Sequence, residues 1–142
     1  MSSSGLTGGS EALRVLIDPP MEPAANMARD EELAEEVREA QAPAALRIYR
    51  WNQPAISIGR RQNPDDLPAD LMARGLPLVR RPTGGGAVLH RVDELTYALA
   101  TRREFVPRHL PVREFSRRIH QNLRDELVRS RALASEELQV AG

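Results

Sequence analysis

Arg80-Arg81-Pro82-Thr83-Gly84-Gly85-Gly86-Ala87-Val88-Leu89-His90 is the stretch around which this chain is organised. Two arginines lead into three consecutive glycines, and a short apolar run and a histidine follow. Glycine loses more backbone entropy on folding than any other residue. A triplet inside a folded domain therefore marks a place where the main chain takes φ > 0, or lies against a ligand with no side chain in the way. Backbone N–H groups freed in such a loop can face a phosphate or carboxylate. Arg80 and Arg81 add planar, permanently charged donors beside them. The residues thus read as an anion-cradling loop between strands, against the plainer reading of a glycine-rich turn that binds nothing. No Lys-Ser/Thr pair follows the glycines, so the loop is not a P-loop, and the spacing is not the dinucleotide fingerprint.

Working outward, Leu76 to Arg80 reads as the strand that delivers the arginines. Ala87–Leu89 and Leu95–Ala100 read as strands around a polar turn at His90–Glu94. Upstream, Leu46–Trp51 alternates, with Arg47, Tyr49 and Trp51 on one side. Asn52-Gln53-Pro54 is a turn signal, and Ala55–Gly59 reads as a strand returning beside the first as a hairpin. Trp51 has two readings, core packing and the wall of a ligand pocket. Arg60, Arg61, Gln62 and Asn63 are read as ordinary loop residues outside the core site. Asn63-Pro64-Asp65-Asp66 starts a helix expected to run to about Arg74, with Gly75 as its stop.

Leu13–Ile17 reads as the first strand, ended by Asp18-Pro19-Pro20. A helix is predicted over about 24–40, with Met27, Ala34 and Val37 on its inner face and Leu33 at the border. The acidic run from Asp30 to Glu36 is taken as a solvated face without a catalytic role. Gln41-Ala42-Pro43 closes this helix. A second helix is predicted over about 111–130. Pro111 lies in its first turn, and Val112, Phe115, Ile119, Leu123 and Leu127 form one stripe. His120 is read as exposed. A last strand is expected at Leu138–Val140.

The 142 residues suffice for one domain with a core. Twenty basic and twenty acidic residues give a net charge of zero, which argues against nucleic acid as a partner. No apolar run approaches the roughly 20 residues that span a bilayer, and Met1–Ser10 lacks the features of a signal peptide. A cytoplasmic location and no membrane partner are expected. Residues 1–12 read as a flexible tail. The chain has no cysteine, so it offers no disulfide and no thiolate. Its basic residues are twenty arginines and no lysine. The scattered histidines His90, His109 and His120 carry no H-E-x-x-H pattern, so no protein-held metal is expected.

The glycine stretch, with Asp93-Glu94-Leu95-Thr96-Tyr97 just after it, resembles the signature of the lipoate–protein ligase and octanoyltransferase family. Those enzymes share a catalytic domain with biotin–protein ligases. Three further stretches resemble the family in the same order. Asn26-Met27-Ala28-Arg29-Asp30-Glu31 resembles its first helix. Trp51 to Asn63 resembles the strand–turn–strand before the glycine loop. Glu137-Leu138-Gln139-Val140-Ala141-Gly142 resembles the strand before its Gly-Arg-Lys segment.

The resemblance implies an α+β fold with a mixed, largely antiparallel sheet and packed helices, spanning 13–142 and incomplete at the C-terminus. It implies lipoate activation with ATP and Mg²⁺, and transfer to a lysine of a lipoyl-acceptor domain. It places Arg81, Thr83, Gly84, Gly85, Gly86, Ala87, Val88, Leu89 and His90 at the lipoate/ATP site. For His90 a structural hydrogen bond is an equal reading. In the ligases a lysine contacts the adenylate, and in octanoyltransferases of this type a cysteine carries the acyl group. Neither is present, so no catalytic residue is assigned. The alternatives are an octanoyltransferase-branch homologue, a non-catalytic remnant, or one part of a split enzyme completed by a complementary C-terminal ligase chain. The Leu-Thr-Tyr ending is nearer the octanoyltransferases and the Gly-Gly-Gly form nearer the ligases. Arg91-Val92 departs from the acidic residue usual after the histidine.

Overall fold

The computed structural model describes residues 13–40 and 44–130. The tail at 1–12, the closing residues 41–43 and the strand expected at 138–140 lie outside the described residues. The chain divides after Arg102 into two compact units.

The first unit holds two small mixed sheets bridged by one helix. Its strands are β1 (Arg14–Ile17), β2 (Ala44–Tyr49), β3 (Ala55–Ile58), β4 (Leu78–Arg80), β5 (Val88–His90) and β6 (Thr96–Thr101). One sheet has the order β1-β2-β6 and the other β4-β3-β5. Each central strand pairs parallel on one side and antiparallel on the other. The six-residue β2–β6 ladder makes antiparallel pairing the more extensive. This is the α+β architecture expected.

The hairpin expected between 46–51 and 55–59 does not form, because β2 and β3 lie in different sheets. β2 ends at Tyr49, and Trp51 makes a single bridge with Met21. That bridge turns the chain out of the first sheet before Asn52-Gln53-Pro54, so β3 takes β4 and β5 as neighbours.

Helix α1 (Pro23–Glu39) joins the sheets. Leu33 and Val37 pack on Ala45, with Leu16 and Ala100 around them. Nearly two turns nearer its start, Met27 packs with Tyr49, Trp51 and Ala55, against Val79. The buried stripe is Asn26, Met27, Leu33 and Val37, and Ala34 faces solvent. Ala34 fails as a core position because Asn26, Asp30, Leu33 and Val37 follow one another at intervals of four, three and four, which defines the inner face.

Two of those positions are polar, and both serve Arg47. This arginine is 0% exposed. Its Nε donates to Asp18 (2.6 Å) and its Nη1 to Asp30 (2.7 Å) and to the Asn26 carbonyl. Nη2 donates to Asn26 Oδ1 at 2.7 Å. The guanidinium lies 3.9 Å over the Tyr49 ring, whose hydroxyl donates to Asp30. Burial raises the Asp30 carboxyl above its ordinary value, with the bonds from Arg47 and Tyr49 opposing. Burial and the Asp30 charge raise Tyr49. Asp30 is therefore an interior partner and not part of the solvated acidic face. Buried charges persist only when paired and hydrogen-bonded.

The outer face of the second sheet is closed by Leu67, packed with Ile56 and Ile58 beside Leu71, Leu76 and Leu78. The helix expected from Asn63 to Arg74 is two short pieces, a 3-10 turn at Pro64–Asp66 and α2 (Ala69–Met72). Pro68 has no N–H to continue the first piece and instead caps the second. Asn63 accepts from Asp65 N–H as predicted for a helix start, and Gly75 stops α2 with φ 64°.

The second unit contains α3 (Val112–Arg129). Pro111 is its N-cap and not its first helical residue. Phe115, Ile119, Leu123 and Leu127 are half-buried, Val112 is exposed, and His120 is half-buried and not open as expected. Glu114 accepts from Arg117 and Arg118, which hold its carboxyl down at about 2.

Candidate functional site

The glycine loop connects β4 to β5 and is folded by contacts from two directions. Arg81 supplies the first. Its Nη1 donates to the Ser57 carbonyl (3.1 Å) and to Ser57 Oγ (2.8 Å). Its Nη2 donates to the carbonyls of Gly84 (3.0 Å) and Gly86 (2.8 Å). Gly59 supplies the second. A Cβ placed there would lie 2.1 Å from the Gly85 carbonyl oxygen, so the two backbones touch. Gly85 itself has φ 99°, a conformation that favours glycine.

The orientation of these carbonyls fixes the donors. Among the described residues no peptide bond is cis. In a trans peptide the N–H points opposite the preceding C=O. Arg81 draws the Gly84 and Gly86 carbonyls to itself, and the Gly85 carbonyl lies against Gly59. The N–H groups of Gly85, Gly86 and Ala87 therefore point away from these contacts. Gly84, Gly85 and Gly86 are exposed, and they line a cleft of about 620 Å³ with Arg60, Arg61 and Gln62.

Behind the loop lies a buried polar chain. Ser57 Oγ and His90 Nε2 are 2.6 Å apart, and His90 Nδ1 and Glu94 Oε1 are 2.6 Å apart. Thr96 donates to the same Glu94 oxygen, and Trp51 Nε1 donates to Thr96. The His90 ring stacks on Trp51 at 4.0 Å. Burial works against the Glu94 charge, but bonds from His90, the Arg91 N–H and Thr96 hold its carboxyl below the ordinary value. An ionised carboxylate only accepts. His90 Nδ1 thus carries a proton and donates to Glu94, and Nε2 shares a hydrogen bond with Ser57 Oγ.

A Ser–His–Glu series resembles a nucleophilic triad in composition. The geometry does not support that role. Ser57 is 0% exposed, and its oxygen already accepts from Arg81. No substrate carbonyl can reach it. Burial also lowers the Arg81 guanidinium from its ordinary value.

The nine residues expected at the site are not all placed alike. Thr83, Gly84, Gly85, Gly86 and Leu89 are exposed, and Arg81, Ala87 and Val88 are half-buried. His90 is 5% exposed, ends β5, and faces Ser57 behind the loop and not the cleft. It therefore does not sit in the polar turn expected at His90–Glu94. Arg81 has its terminal nitrogens turned to Ser57 and the loop carbonyls. Sequence reasoning left out Arg60, Arg61 and Gln62, which line the cleft. It also passed over Gly59, Ser57 and Glu94, which hold the loop. One signal was available: Ala55, Ser57 and Gly59 are three small residues at strand spacing directly before the arginine pair.

The family described as the lipoyl protein ligase A/B catalytic domain matches residues 22–140, and the chain belongs to it. Among curated relatives, octanoyltransferase LipM of Moorella thermoacetica is 45% identical over 98 residues, covering 67% of this chain and 35% of that protein. Octanoyltransferase LipM of an Exiguobacterium species is 51% identical over 79 residues, covering 54% of this chain and 28% of that protein. The chain spans about a third of the length of the curated relatives it matches. Among solved structures, lipoate-protein ligase A bound with ATP matches with a TM-score of 0.51 at 23% identity, covering 81% of this chain and 44% of that one. P. falciparum LipL1 in complex with lipoate matches at 0.51 and 22%, covering 62% and 30%. These two likenesses show the fold. Among the described residues no helix is long and apolar enough to cross a membrane.

Proposed function

We propose that this chain forms the acyl-donor site of an octanoyltransferase, which takes an octanoyl group from a thioester carrier and passes it to a lysine of a lipoyl-acceptor domain. The observation that carries this reading is the 45% identity over 98 residues to octanoyltransferase LipM, a stretch long enough to take in the glycine loop. Acyl transfer places negative charge on the carbonyl oxygen, and fixed N–H donors stabilise it. The N–H groups of Gly85, Gly86 and Ala87 are the donors for that oxygen. Val88 and Leu89 flank the acyl chain. Arg81 and Gly59 keep the donors fixed, and Ser57, His90 and Glu94 hold Arg81 in place. The cysteine or lysine that the two family routes use is not among these 142 residues.

The ligase reading has one observation in its favour. A loop with outward N–H groups also suits the phosphates of ATP, and lipoate would then be the acyl substrate. Among the described residues no three His, Asp or Glu are placed to hold a metal, so Mg²⁺ would enter on the nucleotide phosphates.

Equilibrium binding to the full chain separates the readings. Saturable binding of S-octanoyl-pantetheine, competed by octanoyl analogues and indifferent to ATP, is expected. ATP binding with lipoate-dependent pyrophosphate exchange would replace the octanoyltransferase reading with the ligase. Failure of both ligands to bind would remove both.

A further inference from the structure

One wall of the cleft carries charge that the fold does not use. Arg60 and Arg61 line it and are exposed. Among the described residues neither guanidinium has a carboxylate or hydrogen-bond partner. Some surface arginines are neutralised, as Arg14 is by Glu36, Arg91 by Asp93 and Arg117 by Glu114; Arg60 and Arg61 differ from the remaining exposed arginines in lining the cleft side by side. Asp65 and Asp66 follow closely in sequence but do not line the cleft.

The main chain beneath this pair is fixed. Arg80 Nη1 donates to the carbonyls of Gly59, Arg60 and Gln62 at 3.0, 3.2 and 2.8 Å. Arg60 N–H donates to the Thr83 carbonyl at 2.8 Å, which ties the segment to the glycine loop. Gln62 accepts from Gly59 N–H through its side-chain oxygen and lines the same cleft. The backbone that carries Arg60, Arg61 and Gln62 is thus tied to the strand and loop that carry Gly84–Gly86, and all six residues line one cleft.

Resting on the acyl-transfer reading, we propose that Arg60 and Arg61 form a phosphate clamp for the phosphate-ester end of the acyl donor, separate from the loop N–H groups that meet its carbonyl. Guanidinium matches phosphate oxygens bidentately, with charge-assisted bonds roughly twice as strong as neutral ones. Nothing among the cleft-lining residues competes for those donors with a carboxylate. The shared chemistry is a phosphate ester, which a phosphopantetheine arm or a nucleotide could present.

The test is calorimetric titration of the full chain with three probes: S-octanoyl-4′-phosphopantetheine, S-octanoyl-pantetheine and ATP. The phosphorylated thioester is expected to bind about tenfold or more tightly than its unphosphorylated counterpart, the scale of one charge-assisted contact. The R60Q/R61Q double variant should erase that preference without a change in thermal midpoint. R74Q, at an exposed position away from the cleft, should keep it. Equal affinity for the two thioesters overturns the clamp and leaves the acyl-transfer reading intact. A preference that persists in R60Q/R61Q also overturns it. Arginine-dependent ATP binding with no binding of either thioester keeps the clamp, assigns its phosphate to a nucleotide and overturns the acyl-donor reading.

Discussion

Gly59 and Gly85 are in direct backbone contact: a methyl group on Gly59 would sit 2.1 Å from the Gly85 carbonyl oxygen and 3.1 Å from its nitrogen. The end of β3 thereby fixes how far the glycine loop reaches into the cleft. Both partners of the clash are main chain, so no side chain can rotate away to relieve it. Gly59→Ala should push the loop outward by an ångström or more. Overpacking of this kind costs about 1–3 kcal/mol, and a misplacement of that size near a reacting group costs about 100-fold in function. The expected result is a folded variant with a modestly lower thermal midpoint and a loss of octanoyl-ligand affinity far beyond it. Wild-type affinity in Gly59→Ala would show that the contact does not set the loop.

Arg81 is the other anchor, and it acts by shape as well as charge. Its terminal nitrogens serve the Ser57 carbonyl, Ser57 Oγ, and the carbonyls of Gly84 and Gly86. Lysine has a single ammonium and cannot reach acceptors spread over that fork. Arg81→Lys is therefore expected to fail as Arg81→Ala does, each losing about 1.5–3 kcal/mol in line with hydrogen bonds to a charged group. Hydrogen–deuterium exchange should rise selectively at residues 84–87. Protection retained in Arg81→Lys would show that charge alone suffices.

Helix α1, strands β1, β4 and β6, and helix α3 were legible because their patterns are local. Apolar spacing and the prolines and glycines at their ends specify them within a few residues. The division into two sheets was not legible. Asn52-Gln53-Pro54 between two apolar runs looks like a hairpin turn, and only the distant bridge from Trp51 to Met21 sends β3 elsewhere. The Arg47 interior was hidden for another reason. Charged residues are read as surface by default, yet Arg47 alternates with Ala45 and Tyr49 on the inner face of β2, opposite Asn26 and Asp30 at one-turn spacing. The glycine loop was legible as a ligand loop from composition, but not the direction of its carbonyls, which depends on Arg81 and Gly59 in three dimensions.

The Arg47 network yields a stability prediction independent of ligand. Removing one partner of a buried pair leaves an uncompensated charge and costs about 3–5 kcal/mol. Asp30→Ala removes the bonds from both Arg47 and Tyr49, while Asp18 still meets Arg47 at 2.6 Å, so the loss by urea denaturation should fall at the lower end of that range. Asp30→Asn keeps an acceptor and should lose less. Glu32→Ala, on the solvated face of the same helix, should change stability by under about 0.5 kcal/mol. Equal effects at 30 and 32 would mean that Asp30 is not an interior partner.

Glu94 makes the acid limb of the stability curve diagnostic. Its carboxyl is held below the ordinary value of 4.5 by His90, the Arg91 N–H and Thr96, against the effect of burial. A depressed folded-state value means that the unfolded chain binds the proton more readily. The resulting stabilisation is fully present above 4.5 and is lost as pH falls through the lowered value. Asp30 carries the opposite sign, since its carboxyl is raised above 3.8; it favours the folded state as it protonates. Glu94→Gln keeps an oxygen for His90 Nδ1 but removes the charge. The variant should be less stable than the parent at pH 6, and the gap should narrow as both are titrated from pH 5 toward pH 2. The Asp30 contribution is common to both proteins and cancels in the difference. A gap that stays constant over that interval would show that the Glu94 charge does not stabilise the His90–Ser57–Arg81 support of the glycine loop.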